Sequence, residues 1–546
     1  MSATLYRNGA VHASSDPFAE AILVADGTVA WIGSDDTAAG LVDRADEVVD
    51  LDGALVAPAF VDAHVHVLET GLALESVDLS PAGGVHSLAD ALDAVRRAAQ
   101  ARPDTMRDEP LLGFGWDDTG WPEHRAPSAA ELDAAAGGAP VYLARVDVHS
   151  AAVSSSLAAR AGLDRLPGWT PDGLVTLDAH HAARDVARDV SGPRRTALYL
   201  AALRHAAARG VVAVHEMSAP SVDTREGLLE LLTSTADERS GLPLVVGYRA
   251  EACTTVDDAR ALLAALPGLT GIGGDLNVDG SLGSRTAALR APYADRPGER
   301  GVLMLSAEQV ANHVAAVTRA GVHTAFHVIG DLGMDEVLLG IRAAADVEGL
   351  PAIAAAGHRL EHAEMVDAPA LAAMVLLGLR VSAQPAFDAA WGGPDGMYAA
   401  RLGAGRAIAL NPLADLAAAG VPLAFGSDSP VTPVDPWAGI RAAVEHTAAE
   451  QRISARAAFR ATTRGGWRLA GLDGTGAGEL RVGSPVHLAV WRSEHLTVQA
   501  GRGQLTAWSA EARAGQPLLP DLSADVPPPV CLRTVRGETV LHDALG

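Results

Sequence analysis

The chain has 546 residues, 49% hydrophobic and 20% charged, enough for one large domain with a smaller one beside it. A formal net charge of −25 argues against nucleic-acid binding, which needs a basic face, and no apolar run is long enough to cross a bilayer. Two cysteines, Cys253 and Cys531, cannot build a disulfide framework, and the opening MSATLYRNGA has no signal-peptide pattern, so a cytoplasmic enzyme is expected.

Residues 1–57 read as short strands, with turns at Asn8-Gly9, Asp26-Gly27 and Asp52-Gly53 between apolar runs. Residues 476–546 read the same way, from ELRVGSPVHLAVW to RTVRGETVLH. Neither end is large enough for a core of its own. Together they predict one small β-sandwich built from both termini.

Residues 58–475 alternate strand-like and helix-like runs. The strands are AFVDAHVH (59–66), GVVAVHEM (210–217), PLVVGYRA (243–250), DLNVDG (275–280), TAFHVIGD (324–331), HRLEHAEM (358–365), RVSAQPAF (380–387) and LAFGSDSP (423–430). Ala/Leu/Arg-rich helical patterns such as SAEQVANHVAAVTRAG fill the intervals. Eight strands separated by helices predict an α/β fold, a (β/α)8 (TIM) barrel with reactive groups at the C-terminal strand ends. The interval from about 68 to 200 is too long for one connection and reads as an insertion after the first strand.

The polar residues fall where such a barrel would gather them. The first strand ends in His64 and His66, on one face because side chains alternate along a strand. The fifth ends at His327, the sixth at His362 and the eighth at Asp428 in GSDSP. Taken singly, each has a plainer explanation: a surface histidine pair, a core histidine, a helix N-cap. Together at five strand ends they suit zinc or a similar divalent metal, with bonds to nitrogen of about 2.0–2.1 Å. In the fourth strand Asp275, Asn277 and Asp279 share a face, which is costly in a dry core; the strand end is either wet or oxygen-ligating.

The order PAFVDAHVH, HVIGD, HRLEHAE, GSDSPV resembles the amidohydrolase superfamily, in particular the branch of N-substituted formamide deformylases and related metal-dependent hydrolases. GFGWDDTGWPEHRAPS (113–128), RVDVHSAAV (145–153), DGSLGSRTAAL (279–289) and GELRVG (478–483) echo the same branch. The resemblance implies that His64 and His66 bind a buried metal, that Asp428 binds it and shuttles a proton, and that His327 and His362 hold a second metal or the substrate. In binuclear relatives a carboxylated lysine at the end of strand four bridges the metals. Here Asp275 stands at that position, and the chain contains no lysine: all 42 basic residues are arginine. Aspartate offers oxygens on a shorter stem, so it reaches both metals only if the strand lies closer to the axis, or it binds one, or none. Of one or two ions per chain, one is the preferred expectation.

Further substrate-binding candidates are His215 at the end of strand two, Arg285, and Trp116, Asp117, Asp147 and His149 in the insertion. Arg285 would meet a substrate oxygen or pair with Asp279; the aromatic residues Trp116, Trp121, Phe387 and Trp391 would line a pocket or fill a core. The expected activity is hydrolysis of a C–N bond in an amide, formamide or related small molecule, with a cyclic amide hydrolase or deaminase on the same centre as the alternative. A catalytically inactive barrel kept for binding is the rival from another class, and such a barrel has no need of the full ligand set. A homodimer is the default assembly.

Overall fold

The computed structural model describes residues 2–103, 106–118, 121–146, 150–498 and 516–545. The chain forms two compact units, one of Met1–Val67 with Ala202–Gly546 and the other of Leu68–Ala201.

In the first unit the two chain ends interleave. One sheet pairs Thr28–Gly33, Ala21–Ala25, Ala3–Arg7 and Glu47–Asp50 in that order. The other pairs Ala10–Val11 and Leu55–Pro58 from the N-terminal side with His487–Arg492, Val530–Arg536 and Thr539–Asp543 from the C-terminal side. Tyr6, Ile22, Val29 and Val49 of the first sheet share one buried cluster with Val56, Leu488, Val490 and Leu532 of the second. Neither end can bury its apolar face without the other.

The rest of this unit is built on eight parallel strand segments: β1 Phe60–Val65, β2 Val211–Ser218, β3 Leu244–Arg249, β4 at Gly271–Ile272 and again at Leu276–Asn277, β5 Ala325–Val328, β6 Arg359–His362, β7 Arg380–Ala383 and β8 Leu423–Phe425. Pairing runs β1-β2-β3-β4 through the first piece of β4 and β4-β5-β6-β7-β8 through the second. Parallel bridges Gly271–His323 and Val65–Ser429 join the two runs at both ends, so the strands follow one another round a closed ring. All eight residues of β2 are buried, the pattern of a parallel strand covered on both faces. At the N-terminal end of β1, Phe60 packs against Trp437, Phe459 and Trp491 with ring centroids 5.1, 5.7 and 5.4 Å away. Trp491 belongs to the second sheet, so this aromatic cluster ties that sheet to the base of the ring.

Strand four differs from the DLNVDG (275–280) of the sequence reading: only Leu276–Asn277 of that run is strand, and an earlier piece, Gly271–Ile272, precedes it. Gly273 and Gly274 take φ of 138° and 98° and split the strand in two, leaving Asp275 at the break. Positive φ at two successive positions is open to glycine and costly for other residues. A Cβ on Gly273 would lie 2.3 Å from the Ala325 carbonyl oxygen, and one on Gly274 would lie 2.9 Å from Met217 Sδ. Gly274→Ala should therefore displace the Asp275 backbone, at a cost of about 1–3 kcal/mol in backbone strain. Titration with a zinc chelator should show metal affinity falling further than the small drop in thermal midpoint would explain.

In the Leu68–Ala201 unit, Val77–Asp78, Leu111–Trp116, Val141–Arg145, Ala151–Val153 and Leu174–Val175 form one sheet, flanked by helices that include Leu88–Ala101 and Ala129–Ala136. Among the described residues no helix is long and apolar enough to cross a membrane.

Candidate metal centre

The C-terminal ends of β1, β5, β6 and β8 and the break in β4 bring six side chains together. His64, His66 and Asp275 form one group, His64, His362 and Asp428 a second, and Asp275, His327 and His362 a third, with the ligand atoms of each group within 4.8 Å of one another. His64 Nε2 lies 3.4 Å from both Asp275 Oδ1 and Asp428 Oδ1. His66 Nε2 lies 3.0 Å from Asp275 Oδ2 and 3.3 Å from Asp428 Oδ1. On the other side His327 Nδ1 faces Asp275 Oδ1 at 3.8 Å. The Asp275 carboxylate thus reaches histidines of β1 and β5 at once, despite its short stem. The break in β4 is the local feature at that position.

Each histidine is held from behind. Nδ1 of His64 meets Glu361 Oε2 at 2.9 Å, that of His66 meets the Met217 carbonyl at 3.1 Å, and that of His362 meets Gln384 Oε1 at 2.8 Å. His327 is turned the other way, with Nε2 on the Gly280 carbonyl at 3.3 Å. All four partners are oxygens that accept, so each outer nitrogen carries a proton, and in the neutral ring the inner nitrogen has the lone pair. That tautomer is the one a metal ligand requires. His64 Nε2 and Asp275 Oδ1 are buried with no hydrogen-bond partner among the described residues. Buried polar atoms left without partners, in a pocket of imidazoles and carboxylates, fit a divalent cation.

The electrostatics agree. Burial alone would favour neutral His64, but the Asp428 and Asp275 carboxylates overcome it and hold its pKa up at about 10. Burial pushes in the opposite direction for Asp275, yet His66 and His64 hold its carboxyl well below the usual carboxylate range. Asp428 is lowered too, with His64 and His66 outweighing its burial. His362 is pushed down to about 4, chiefly by burial and then by His327 and His64, which outweigh Asp428 and Asp275. The Asp275 and Asp428 carboxylates thus favour positive charge beside His64, as a divalent cation would supply.

Backbone strain collects at the same rim. His362, Ala363 and Asp428 have φ of 68°, 48° and 54°, in the left-handed region that non-glycine residues seldom occupy. Such conformations cost of order 1–3 kcal/mol each and persist where surrounding structure over-determines them.

The remaining sequence candidates divide. His215 is fully buried in the ring, where its Nδ1 accepts from Arg359 at 2.8 Å. Arg285 pairs with Asp295 at 2.6 Å rather than with Asp279. Asp279 is spent on structure: its carboxylate accepts the backbone N–H groups of Ala288, Ile329 and Gly330. Trp116 sits in the core of the Leu68–Ala201 unit, its indole N–H donated to the Leu143 carbonyl at 2.8 Å, and Asp117 pairs with Arg145. Asp147 and His149 lie outside the described residues. Phe387 stacks on His362 with centroids 6.0 Å apart, and Trp391 packs on Phe387 behind it. The sequence reading passed over Arg359, Glu361 and Gln384. Arg359 and Glu361 carried a usable signal, two opposite charges two apart on a strand and so on one face of it.

A ring of parallel strands that gathers histidines and aspartates at one end offers a donor set suited to a divalent metal. A model of the amidohydrolase family (Amidohydro_3) matches residues 47–518. The chain belongs to that family and is a hydrolase acting on carbon–nitrogen bonds. It is 27% identical over 447 residues to the putative amidohydrolase YtcJ of Bacillus subtilis (strain 168), covering 78% of this chain and 80% of that one. To the N-substituted formamide deformylase of Arthrobacter pascens it is 25% identical over 444 residues, covering 76% and 77%. Among solved structures, an uncharacterized metal-dependent hydrolase from Pyrococcus furiosus superposes with a TM-score of 0.71 at 28% identity, covering 89% of this chain and 98% of that one.

Proposed function

We propose that this protein is a zinc-dependent hydrolase that cleaves the C–N bond of an amide or formamide on a small molecule, at the mouth of a (β/α)8 barrel. The observation that carries this reading is the convergence of four tautomer-fixed histidines on two carboxylates, with buried ligand atoms left unpartnered. The likeness to a formamide deformylase supports the choice of bond.

His64, His66, Asp275 and Asp428 would hold one ion, and His327 and His362 would hold a second with Asp275 shared between them. The sequence argument for a single ion rested on the short stem of Asp275, and its reach to both His66 and His327 favours two. When bound, such an ion acts as a Lewis acid and lowers the pKa of water toward neutrality. Asp428, ionised in the pocket, takes the proton lost as water attacks the carbonyl carbon and hands it to the departing nitrogen. His362, held neutral with Nδ1–H on Gln384, keeps its inner nitrogen free to bind rather than to donate a proton. Phe387 and Trp391 offer an apolar surface to a substituent on the amide.

Zinc-reconstituted enzyme assayed against N-formyl amines, N-acyl amines and cyclic amides tests the reading. Release of free amine from an N-formyl or N-acyl compound is the expected result. Turnover confined to cyclic amides would replace it with ring hydrolysis.

A further inference from the structure

Beneath the candidate metal centre the ring interior is ionic. Branched aliphatic side chains commonly fill such an interior. Here Arg359 and Glu361, side by side on one face of β6, are both fully buried. Arg359 Nε donates to Glu361 Oε1 at 2.7 Å and one terminal nitrogen to Glu361 Oε2 at 2.9 Å, a two-point pair. The guanidinium makes three further contacts. One terminal nitrogen donates to His215 Nδ1 at 2.8 Å, the other also to the Ala63 carbonyl at 2.9 Å, and the plane lies over the Tyr248 ring with its carbon 4.6 Å from the centroid.

Both ends of this pair lead to His64. Glu361 Oε2 accepts from its ring, and Arg359 grips the carbonyl of Ala63, the residue before it. The other three histidines lean on neutral oxygens, from the Met217 and Gly280 carbonyls and the Gln384 amide. Only His64, among these four, is backed by a carboxylate. A carboxylate behind a ligating imidazole fixes its orientation and raises its strength as a donor. A fully buried ion pair is a weak means of gaining stability, because desolvation consumes most of the attraction. Its presence here calls for another reason, and the shared target supplies one.

We propose that Glu361, with its charge balanced by Arg359, is a positioning residue for His64 and makes the ion at the β1 histidines the tightly held one. The inference rests on the metal-centre reading above and adds which residue sets its affinity. The charge on Glu361 strengthens the His64 donor, while Arg359 keeps that charge tolerable in the interior and locks the β1 backbone at Ala63.

Removal of one partner leaves a buried unpaired charge, so a single Arg359→Met variant confounds folding with metal binding. The informative variant is the double Arg359→Met/Glu361→Leu, which removes both charges together; Glu361→Gln, which leaves Arg359 charged but keeps an oxygen for it and for His64, is read beside it on folded protein only. Full-length wild type and both variants are loaded with Zn2+ and titrated against a chromophoric chelator. Cobalt absorption spectra and urea unfolding midpoints are recorded on the same preparations. The expected result is a loss of zinc affinity of about 10–100-fold in both variants, with an altered cobalt spectrum. In the double variant that loss should persist while its urea midpoint stays near the wild-type value. Wild-type zinc affinity and cobalt spectrum in either folded variant would overturn the positioning role and leave the metal centre standing. A wild-type protein that takes up no zinc would overturn the metal reading itself, and this inference with it.

Discussion

Asp428→Asn should fold, bind metal less tightly, and lose kcat by about 10²–10⁴-fold, the usual worth of a positioned proton-transfer group. The side chain keeps its shape, and its backbone anchors remain: Asp428 N–H on the His64 carbonyl and Val431 N–H on the Asp428 carbonyl, each at 2.8 Å. The carboxylate faces His64 and His66 at 3.4 and 3.3 Å, so the amide loses both a ligand oxygen and a base. Saturating zinc separates the two effects. If turnover returns to the wild-type rate once metal is restored, Asp428 is a ligand only and the proton goes elsewhere. A variant that stays slow with its metal sites full supports the shuttle. The comparison is possible because the ring contributes five other ligating side chains, from β1, β4, β5 and β6.

The second large effect is expected at Asp275. Protein purified without chelators should carry close to two zinc equivalents per chain, and Asp275→Ala should retain at most one, with activity down by at least two orders of magnitude. The reason is geometric: one carboxylate stands 3.0 Å from His66 through Oδ2 and 3.8 Å from His327 through Oδ1, so no other side chain takes its place between those two histidines. Asp275→Glu adds a methylene to a pocket shaped by the break at Gly273 and Gly274 and should recover metal only in part. One equivalent in the wild type, unchanged in Asp275→Ala, would restore the single-ion expectation and remove Asp275 from the ligand set.

The convergence of the four histidines and Asp428 was legible in the sequence because a strand's two-residue period and the rule of strand ends act on them directly. His64, His66, His327, His362 and Asp428 needed only those two rules. Asp275 could be placed but its reach could not, because reach depends on the turn of the backbone at two glycines rather than on residue type. Arg285 was beyond the same rules: its partner Asp295 is ten positions on in an irregular segment whose path no periodicity describes. Asp279 looked like one more polar group of a wet strand end, and instead it accepts three backbone N–H groups in the interior. Trp116 shows the common ambiguity of a large aromatic, resolved here by a carbonyl acceptor inside its own core.

The aspartate at the break in β4 also bears on how the centre is made. A carboxylated lysine has to be assembled after translation, by reaction of an amine with dissolved carbon dioxide, and it reverts when that gas is scarce. Asp275 arrives as a finished carboxylate, in a chain with no lysine to modify. If Asp275 is the ligand proposed above, the set is complete as soon as the ring closes, and its maturation would depend on the supply of metal and on nothing dissolved from the air.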